Sequence, residues 1–141
     1  MKKKPILISG NVYNDDRGSL FYNNDFDASI IKRIYFIENA TTLINRGWQG
    51  HKIEQRWFSS VTGSFKISIL EIDNWEKPSK DLIPKEFILN SSTLDILHIP
   101  KGYITSIKAL KEESKLLVLA DYLLGEIKDE YKFPQNYFEH L

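Results

Sequence analysis

Cysteine is absent from the 141 residues of the chain. Its absence excludes disulfide bonds, thiolate nucleophiles and metal sites built on thiolates. Net charge is absent too, because 19 lysines and arginines balance 19 aspartates and glutamates. No overall field therefore attracts nucleic acid or a membrane surface from a distance. An anionic ligand has to meet cations that the fold clusters locally.

Long hydrophobic runs are missing as well. The apolar stretch after the basic start, residues 5–8, is too short for a signal peptide, and no later stretch reaches the length that spans a membrane. The sequence therefore predicts a cytoplasmic protein. Hydrophobic residues make up 42% and charged residues 27%, which is typical of a folded chain with a packed core. The length predicts one domain, residues 1–141, since two cores would be hard to fill.

What the chain does contain is a series of short apolar runs rich in β-branched and aromatic residues. Glycine, asparagine, aspartate or proline separate these runs, a pattern that predicts strands joined by turns. The predicted strands cover residues 6–9, 19–22, 31–37, 56–61, 65–72, 87–90, 96–99, 104–110 and 116–122. Turns are predicted at residues 15–18, 62–64, 74–84 and 100–102.

Strands in this number have to close on themselves or pair as two sheets, because an open antiparallel sheet exposes its edges and one apolar face. The sequence therefore predicts an all-β jelly roll or β-barrel. The stretch from Glu126 onward is charged and carries four aromatic residues. It predicts a short C-terminal arm, irregular or briefly helical, lying over the barrel.

The segment 45–57 concentrates cations, amides, two tryptophans and a histidine. On a strand, alternate residues share a face, so Gln49 and His51 would point the same way. His51 is the candidate general base, since an imidazole pKa of about 6.5 suits proton abstraction at neutral pH. The alternative is a hydrogen-bonded histidine at a strand end. We expect His98 to pack within a strand and His140 to have no specific role.

Five cations are candidate ligands for a phosphate group, because a guanidinium fork matches phosphate oxygens. They are Arg17, Arg33, Arg46, Lys52 and Arg56. For each, the alternative is a solvated surface charge. The three tryptophans are candidates for stacking on a base or a sugar, against the alternative of a place in the core: Trp48, Trp57 and Trp75.

Six short motifs follow one another between about residues 15 and 122. They are Asp16-Arg17-Gly18-Ser19-Leu20, Ile31-Lys32-Arg33-Ile34-Tyr35, Arg46-Gly47-Trp48-Gln49-Gly50-His51-Lys52, Gly63-Ser64-Phe65, Ile99-Pro100-Lys101-Gly102-Tyr103 and Ala120-Asp121-Tyr122. In this order and spacing the chain resembles the cupins of deoxysugar biosynthesis. That family comprises dTDP-4-dehydrorhamnose 3,5-epimerases and dTDP-4-keto-6-deoxyhexose 3,4-ketoisomerases with their WxcM-like relatives.

The resemblance implies a single cupin jelly-roll domain that forms a homodimer and uses no cofactor and no metal. It implies a nucleotide sugar as partner, dTDP-linked, whose diphosphate binds Arg17 and Arg46 while the keto sugar enters the barrel. The implied activity is that of an isomerase that removes a proton next to the ketone. Arg33 and Tyr35 match the ketoisomerase pattern, whereas residues 75–89 look more like the epimerase, so both reactions remain open.

One departure from the family pattern concerns the base. Gln49 stands where both subfamilies place a catalytic histidine, and an amide cannot accept a proton near neutral pH. His51 occupies the position of a second histidine found in the ketoisomerases. The other epimerase histidine is also replaced, at residues 104–106. A single base suits a ketone shift, because it can return the proton on the face from which it took it.

By this resemblance, His51 would shuttle the proton and Tyr35 or Tyr122 would handle the oxygen protons. Arg56, which stands where the epimerase has a lysine, or Arg46 would support the enolate. Arg33, Gln49 and Lys52 complete the implied substrate contacts.

Two alternatives remain open at this point. Because Gln49 removes a base but leaves the arginines, one alternative is a non-catalytic cupin that binds a nucleotide sugar or acts as a scaffold or regulator. A metal cupin is the other alternative, with His51, Glu54 and His98 as the available ligands. The sequence does not identify the sugar or the nucleotide.

Overall fold

The computed structural model describes residues 3–138, and all its regular elements in that range are β-strands. The predicted all-β class is therefore confirmed. His140 lies outside the described residues, and the described part of the chain contains no helix able to cross a membrane. The strands are β1 (Ile6–Ile8), β2 (Asn11–Asp15), β3 (Gly18–Tyr22), β4 (Arg33–Ile37), β5 (Asn45–His51), β6 (Arg56–Thr62), β7 (Ser64–Glu71), β8 (Lys85–Asn90), β9 (Ile96–Ile99), β10 (Tyr103–Ala109), β11 (Lys115–Ala120) and β12 (Glu130–Lys132).

Ten of these strands form two antiparallel sheets of five. The first sheet has the order β1-β9-β6-β11-β4 and the second has the order β12-β5-β10-β7-β8, while β2 and β3 pair as a separate hairpin. Within residues 3–138 no strand pairing joins the two large sheets. Their edge strands β4 and β12 border a cavity instead. The predicted barrel is thus observed as two facing sheets, and jelly-roll connectivity stays a prediction.

Side chains from both sheets meet in one core. Phe58, Leu97 and Val118 come from the first sheet, Phe65 and Ile67 come from the second, and all five are 4% exposed or less. This is the expected result of period-two alternation, in which every second residue of a strand faces the opposite sheet. The core holds the two sheets face to face and so fixes the walls of the cavity between them.

Gly63 carries the chain from the first sheet to the second. It lies between β6 and β7, within the turn predicted at residues 62–64, and has a φ of 73°. A side chain would be strained at this φ, and a Cβ atom here would lie 1.9 Å from Ser114 Oγ. Glycine is therefore required for the sharp passage between the sheets.

The C-terminal arm covers the outer face of the second sheet. Phe138 is 1% exposed and meets the ring of Trp48 edge to face, with 5.5 Å between ring centroids. The hydroxyl of Tyr137 donates a hydrogen bond to the Pro78 carbonyl at 2.7 Å. The predicted position of the arm is confirmed, but no helix forms in its described part, residues 126–138. Residues 130–132 form β12 instead, because the edge of β5 offers unpaired backbone groups.

All nine predicted strands are present, and three further strands were missed. The most important of the three is β5, whose sequence is polar and contains two glycines, so its strand propensity is low. Gly50 explains part of this composition. A Cβ atom at Gly50 would lie 2.2 Å from the carbonyl oxygen of Tyr103 on β10, so the close pairing of β5 with β10 requires glycine.

Candidate active site

A cavity of about 300 Å³ opens between the two sheets. It continues into a space of about 550 Å³ bordered by residues 124–125 and 127–131. Volumes of this size suit a small organic ligand. Its polar and charged lining comes from β4, β5, β6, β10 and β12 and from the turn before β6: Arg33, Tyr35, Arg46, Gln49, His51, Glu54, Arg56, Tyr103, Thr105, Glu130 and Lys132.

His51 is the last residue of β5 and its side chain is 11% exposed. Its Nδ1 lies 3.0 Å from the carbonyl oxygen of Asp129. Because a carbonyl oxygen only accepts, the neutral ring carries its hydrogen on Nδ1 and keeps the lone pair on Nε2. Nε2 has no hydrogen-bond partner among the described residues. The ring thus lines the cavity with a free basic nitrogen, as a general base requires.

Asp129 fixes the turn that follows His51. Its carboxylate accepts hydrogen bonds from the backbone N–H groups of Lys52, Ile53 and Glu54, at 2.8 to 2.9 Å. The side chain is buried, with 3% exposed. Three donors satisfy a charge that would otherwise be costly to bury. One residue therefore orders the 52–54 turn through its side chain and the imidazole through its carbonyl.

Glu54 and Arg56 form a buried ion pair beside the imidazole. Arg56 Nη1 lies 2.5 Å from Glu54 Oε2, and the same oxygen lies 3.5 Å from His51 Nδ1. Both side chains are less than 10% exposed. The guanidinium thus neutralises the carboxylate and also places a positive charge on the cavity wall. Developing negative charge on a bound ligand would be stabilised there.

These neighbours set the protonation state of the histidine. Burial lowers the pKa of His51 below its ordinary value of 6.5, and the charge of Arg56 lowers it further. Glu54 and Asp129 oppose that shift. The balance keeps the imidazole neutral, and able to accept a proton, at neutral pH.

Tyr103 faces His51 across the β5–β10 pairing and serves as a donor. Its hydroxyl donates to Glu71 Oε1 at 3.2 Å. Burial, together with Glu71, raises the pKa of Tyr103 to about 12. The phenol therefore stays protonated at neutral pH. Tyr103 itself lines the cavity, while its hydroxyl lies within hydrogen-bond distance of Glu71 and of the Lys3 carbonyl.

The cavity also gathers cations that suit an anionic ligand. Arg33, Arg46 and Lys132 line it, and the Arg33 guanidinium lies 4.8 Å from the ring centroid of Tyr35. Arg46 and Lys132 are exposed side chains at the mouth of the cavity, whereas Arg33 is half-buried. A diphosphate held by these side chains would leave an attached sugar near His51.

Gln49 forms a hydrogen bond with Glu130, a residue that no sequence motif marks. Its Nε2 donates to Glu130 Oε1 at 2.5 Å. Gln49 and His51 share the cavity face of β5, as the alternation predicts, and Glu130 lies directly opposite His51 in the pairing of β12 with β5. The carboxylate of Glu130 therefore lies next to the amide of Gln49 on the cavity wall.

Three sequence-predicted residues do not reach the cavity of their own chain. Arg17 lies at the turn of the β2–β3 hairpin, is 88% exposed and pairs with Asp15 at 2.6 Å. Lys52 is exposed because it follows His51 in the turn beyond β5 and turns away from the cavity. Tyr122 lies beyond the end of β11, with the Lys32 ammonium 5.8 Å from its ring centroid. None of the three lines the cavity.

His98 and the tryptophans are likewise absent from the cavity walls. His98 stacks on Trp57 at 4.7 Å between centroids and lies 2.7 Å, through Nε2, from Gln55 Oε1. Trp48 is buried under the C-terminal arm, and Trp75 packs against Tyr131. The ligands considered for a metal cupin are thus divided between two faces. Among residues 3–138 no three potential ligands lie together as a metal site requires.

Sequence reasoning missed the roles of Asp129 and Glu130. Both lie nearly 80 residues from His51 along the chain, in a stretch predicted only as an arm. No local motif marks either residue. Their position depends on β12 adding to the edge of β5, and only the folded backbone shows that pairing.

Comparison with solved structures gives matches over nearly the whole chain. QdtA, a sugar 3,4-ketoisomerase from Thermoanaerobacterium thermosaccharolyticum in complex with TDP, matches with a TM-score of 0.72 and 25% identity over 98% of this chain and 94% of that one. The WlaRB TDP-quinovose 3,4-ketoisomerase from Campylobacter jejuni has a TM-score of 0.70 and 24% identity, covering 97% and 98%.

The fold extends to the epimerases as well. A dTDP-4-dehydrorhamnose 3,5-epimerase from Bacillus anthracis has a TM-score of 0.70 and 14% identity, covering 89% of this chain and 76% of that chain. None of the curated protein sequences matches. Residues 4–139 match the family model described as WxcM-like, C-terminal (FdtA). This match covers almost the whole chain and confirms the resemblance seen in the motifs, so the chain belongs to the WxcM-like, C-terminal family.

Proposed function

We propose that this chain is a nucleotide-sugar isomerase that moves the ketone of a dTDP-4-keto-6-deoxyhexose from C4 to C3. The observation that carries the proposal is His51, which lines the cavity with Nδ1 held by the Asp129 carbonyl and with Nε2 without a partner among the described residues. The relatives that bind TDP and the cations of the cavity support a nucleotide diphosphate as the anchoring group.

The ketone shift needs an acidic C–H bond next to the ketone and one base that removes its proton. Nε2 of His51 takes the hydrogen of C3 as a proton, and the electrons of that C–H bond form the C3–C4 double bond while O4 becomes an enolate oxygen. Arg56 supplies positive charge to this intermediate. His51 then returns the proton to C4, O3 loses its hydrogen and becomes the new carbonyl oxygen, and O4 is left as a hydroxyl.

The remaining side chains of the cavity fit binding roles. Arg33, Arg46 and Lys132 would hold the diphosphate, and Tyr35 would donate a hydrogen bond to O4 of the sugar. Arg17, Lys52 and Tyr122 have no place in this arrangement within one chain, because each lies outside the cavity. A 3,5-epimerase would require a base and an acid on opposite faces of the ring, and among residues 3–138 His51 is the one histidine that lines the cavity.

A non-catalytic protein that binds a nucleotide sugar is the second candidate. Gln49 favours it, since the amide cannot act as a base. Its side chain instead donates a hydrogen bond to Glu130, a contact that a protein with a binding role alone can also make. The two candidates share the diphosphate contacts and differ only in whether carbon-bound hydrogen exchanges.

Deuterium uptake separates the candidates. The purified protein is mixed with dTDP-4-keto-6-deoxyglucose in deuterated water, and the sugar is followed by NMR. We expect exchange at C3 with formation of the 3-keto isomer. Exchange at C5 would indicate an epimerase instead. Binding of the nucleotide sugar without any exchange would end the isomerase proposal for this substrate.

The His51→Asn variant tests the base directly. Its exchange rate at C3 should fall by about 10² to 10⁴, the usual contribution of a general base. His98→Asn is the matched control, because His98 also has a lowered pKa but faces away from the cavity. Equal exchange by His51→Asn and the wild type would remove His51 from the proposed role.

A further inference from the structure

Four acid–base side chains cross the second sheet in a single row. Cross-strand pairing places Glu130 opposite His51, His51 opposite Tyr103, and Tyr103 opposite Glu71. Directly opposed residues of antiparallel strands have Cβ atoms about 5 Å apart on the same face. Glu130 is the member of the row at the open edge of the cavity, with a side chain 54% exposed.

The carboxylate of Glu130 is held in place by its neighbours. Gln49 Nε2 donates to Oε1 at 2.5 Å, and the Lys132 ammonium lies 3.7 Å from the same oxygen. Oε2 has no partner among the described residues. Both neighbours point into the same cavity from β5 and β12. The carboxylate is thus oriented by one oxygen and free to act through the other.

The proposed ketone shift contains a proton movement that His51 does not perform. While His51 moves a proton from C3 to C4, the hydroxyl hydrogen on O3 has to leave and O4 has to gain one. Removing a hydroxyl hydrogen requires an acceptor. A protonated phenol such as that of Tyr103 is a donor, whereas an ionised carboxylate is an acceptor with two oxygens.

We propose that Glu130 is the second proton carrier of this site, accepting the hydrogen of O3 and delivering it to O4 while Gln49 holds the carboxylate in position. This role rests on the proposed isomerase function. The free oxygen Oε2 suits a transfer between neighbouring sugar oxygens, since it can accept the proton of O3 and then donate that same proton to O4. The proton count balances, because each hydrogen leaving C3 or O3 arrives at C4 or O4.

The Glu130→Gln variant separates this role from a structural one. The replacement is isosteric and still offers Gln49 an acceptor, but it cannot carry a proton. With dTDP-4-keto-6-deoxyglucose in deuterated water, we expect exchange at C3 to stay within a few-fold of the wild type, because His51 is intact. Formation of the 3-keto isomer should fall by about 10²-fold. The affinity for dTDP, measured by calorimetry, should change by less than about twofold.

Glu86→Gln is the matched control. Glu86 lies on the other edge strand of the same sheet, β8, and pairs with Lys66 at 3.3 Å with a side chain 51% exposed. It does not line the cavity. A second variant, Glu130→Ala, should recover part of the isomerisation rate when acetate is added, since a free carboxylate can occupy the space left by the side chain.

The results distinguish the role of Glu130 from the isomerase function itself. Isomerisation by Glu130→Gln at the wild-type rate would overturn the role of Glu130 and leave the isomerase proposal intact. Equal losses of exchange and isomerisation would also overturn it, because they would indicate a role in binding or folding. Absence of both reactions in the wild type would reject the isomerase function, and the role of Glu130 with it.

Discussion

At the scale of single residues, the site depends on how each polar group is satisfied. A backbone carbonyl determines which nitrogen of His51 is basic, and the guanidinium of Arg56 forms an ion pair with the buried side chain of Glu54. Backbone acceptors are well suited to such a task, since a carbonyl oxygen accepts at any pH. The residue that orients the base therefore needs no particular side chain for that contact.

The lowered pKa of His51 predicts the pH dependence of the reaction. A general base works in its neutral form, so kcat/KM should hold constant through neutral pH and decline only below pH 6.5, as the imidazole becomes protonated. A profile measured between about pH 4.5 and 8 checks this. A decline that begins above pH 6.5 would contradict the lowered pKa. The Arg56→Gln variant should move the decline to higher pH, because a nearby positive charge is removed.

The same shift has a consequence for stability. Because the pKa of His51 is lower in the folded chain than in the unfolded chain, the unfolded state binds more protons as the pH drops through 6.5. The stabilisation of the folded state by the neutral, buried ring is thus complete above pH 6.5. It is lost as the pH falls from 6.5 through the pKa that His51 has in the folded chain. His98, whose pKa burial also lowers, acts in the same direction.

At the scale of elements, the edge strand β12 completes the site. Its pairing with β5 brings Glu130 beside His51, and the residue just before the strand, Asp129, binds the turn after β5. Without this strand β5 would be an exposed edge, and the imidazole would lose the carbonyl that orients it. A segment of three residues therefore both protects the sheet edge and supplies parts of the site.

Replacing Asp129 by alanine should disturb both folding and turnover. Three backbone N–H groups, one of them buried, would lose their acceptor, so we expect the free energy of unfolding to fall by about 3 kcal/mol. The kcat should fall more than the affinity for dTDP, since the 52–54 turn places His51 rather than the phosphate ligands. Denaturant unfolding and steady-state kinetics measure the two effects. Asp129→Asn, which keeps one acceptor oxygen, should recover part of each; a stable, fully active Asp129→Ala would refute this.

At the scale of the whole molecule, the exposed apolar residues are unevenly distributed. Ile34 and Phe36 on the edge strand β4 are 65% and 61% exposed, and Leu20 and Phe21 on the β2–β3 hairpin are 62% and 47% exposed. Exposed apolar surface around an unprotected strand edge favours association with another chain. We propose that the chain forms the homodimer predicted from the resemblance and that this apolar surface is the contact between the two copies.

Light scattering coupled to gel filtration tests that dimer. The wild type should elute at twice the chain mass of 16.5 kDa. Phe36→Glu should elute at the mass of one chain, because a charge buried in an apolar contact is costly. Ile83→Glu is the control, since Ile83 is 84% exposed in the loop before β8. A wild type that elutes as a single chain would reject the proposal.

The sequence by itself determined the all-β class, nine of the strands, the turn at Gly63 and the common face of Gln49 and His51. These features follow from local rules: strand propensity, turn chemistry and the period-two alternation of side chains. The family resemblance can also be recognised from the sequence, because it depends on short motifs and on their order along the chain.

Only the tertiary structure decided which residues meet. Arg17 and Tyr122 belong to matching motifs but lie outside the cavity, whereas Asp129 and Glu130 belong to none and lie beside His51. The physical reason is that strand pairing acts between segments distant in sequence. The composition of β12 does not specify its partner; the unpaired edge of β5 does, and that edge exists only after the second sheet has formed.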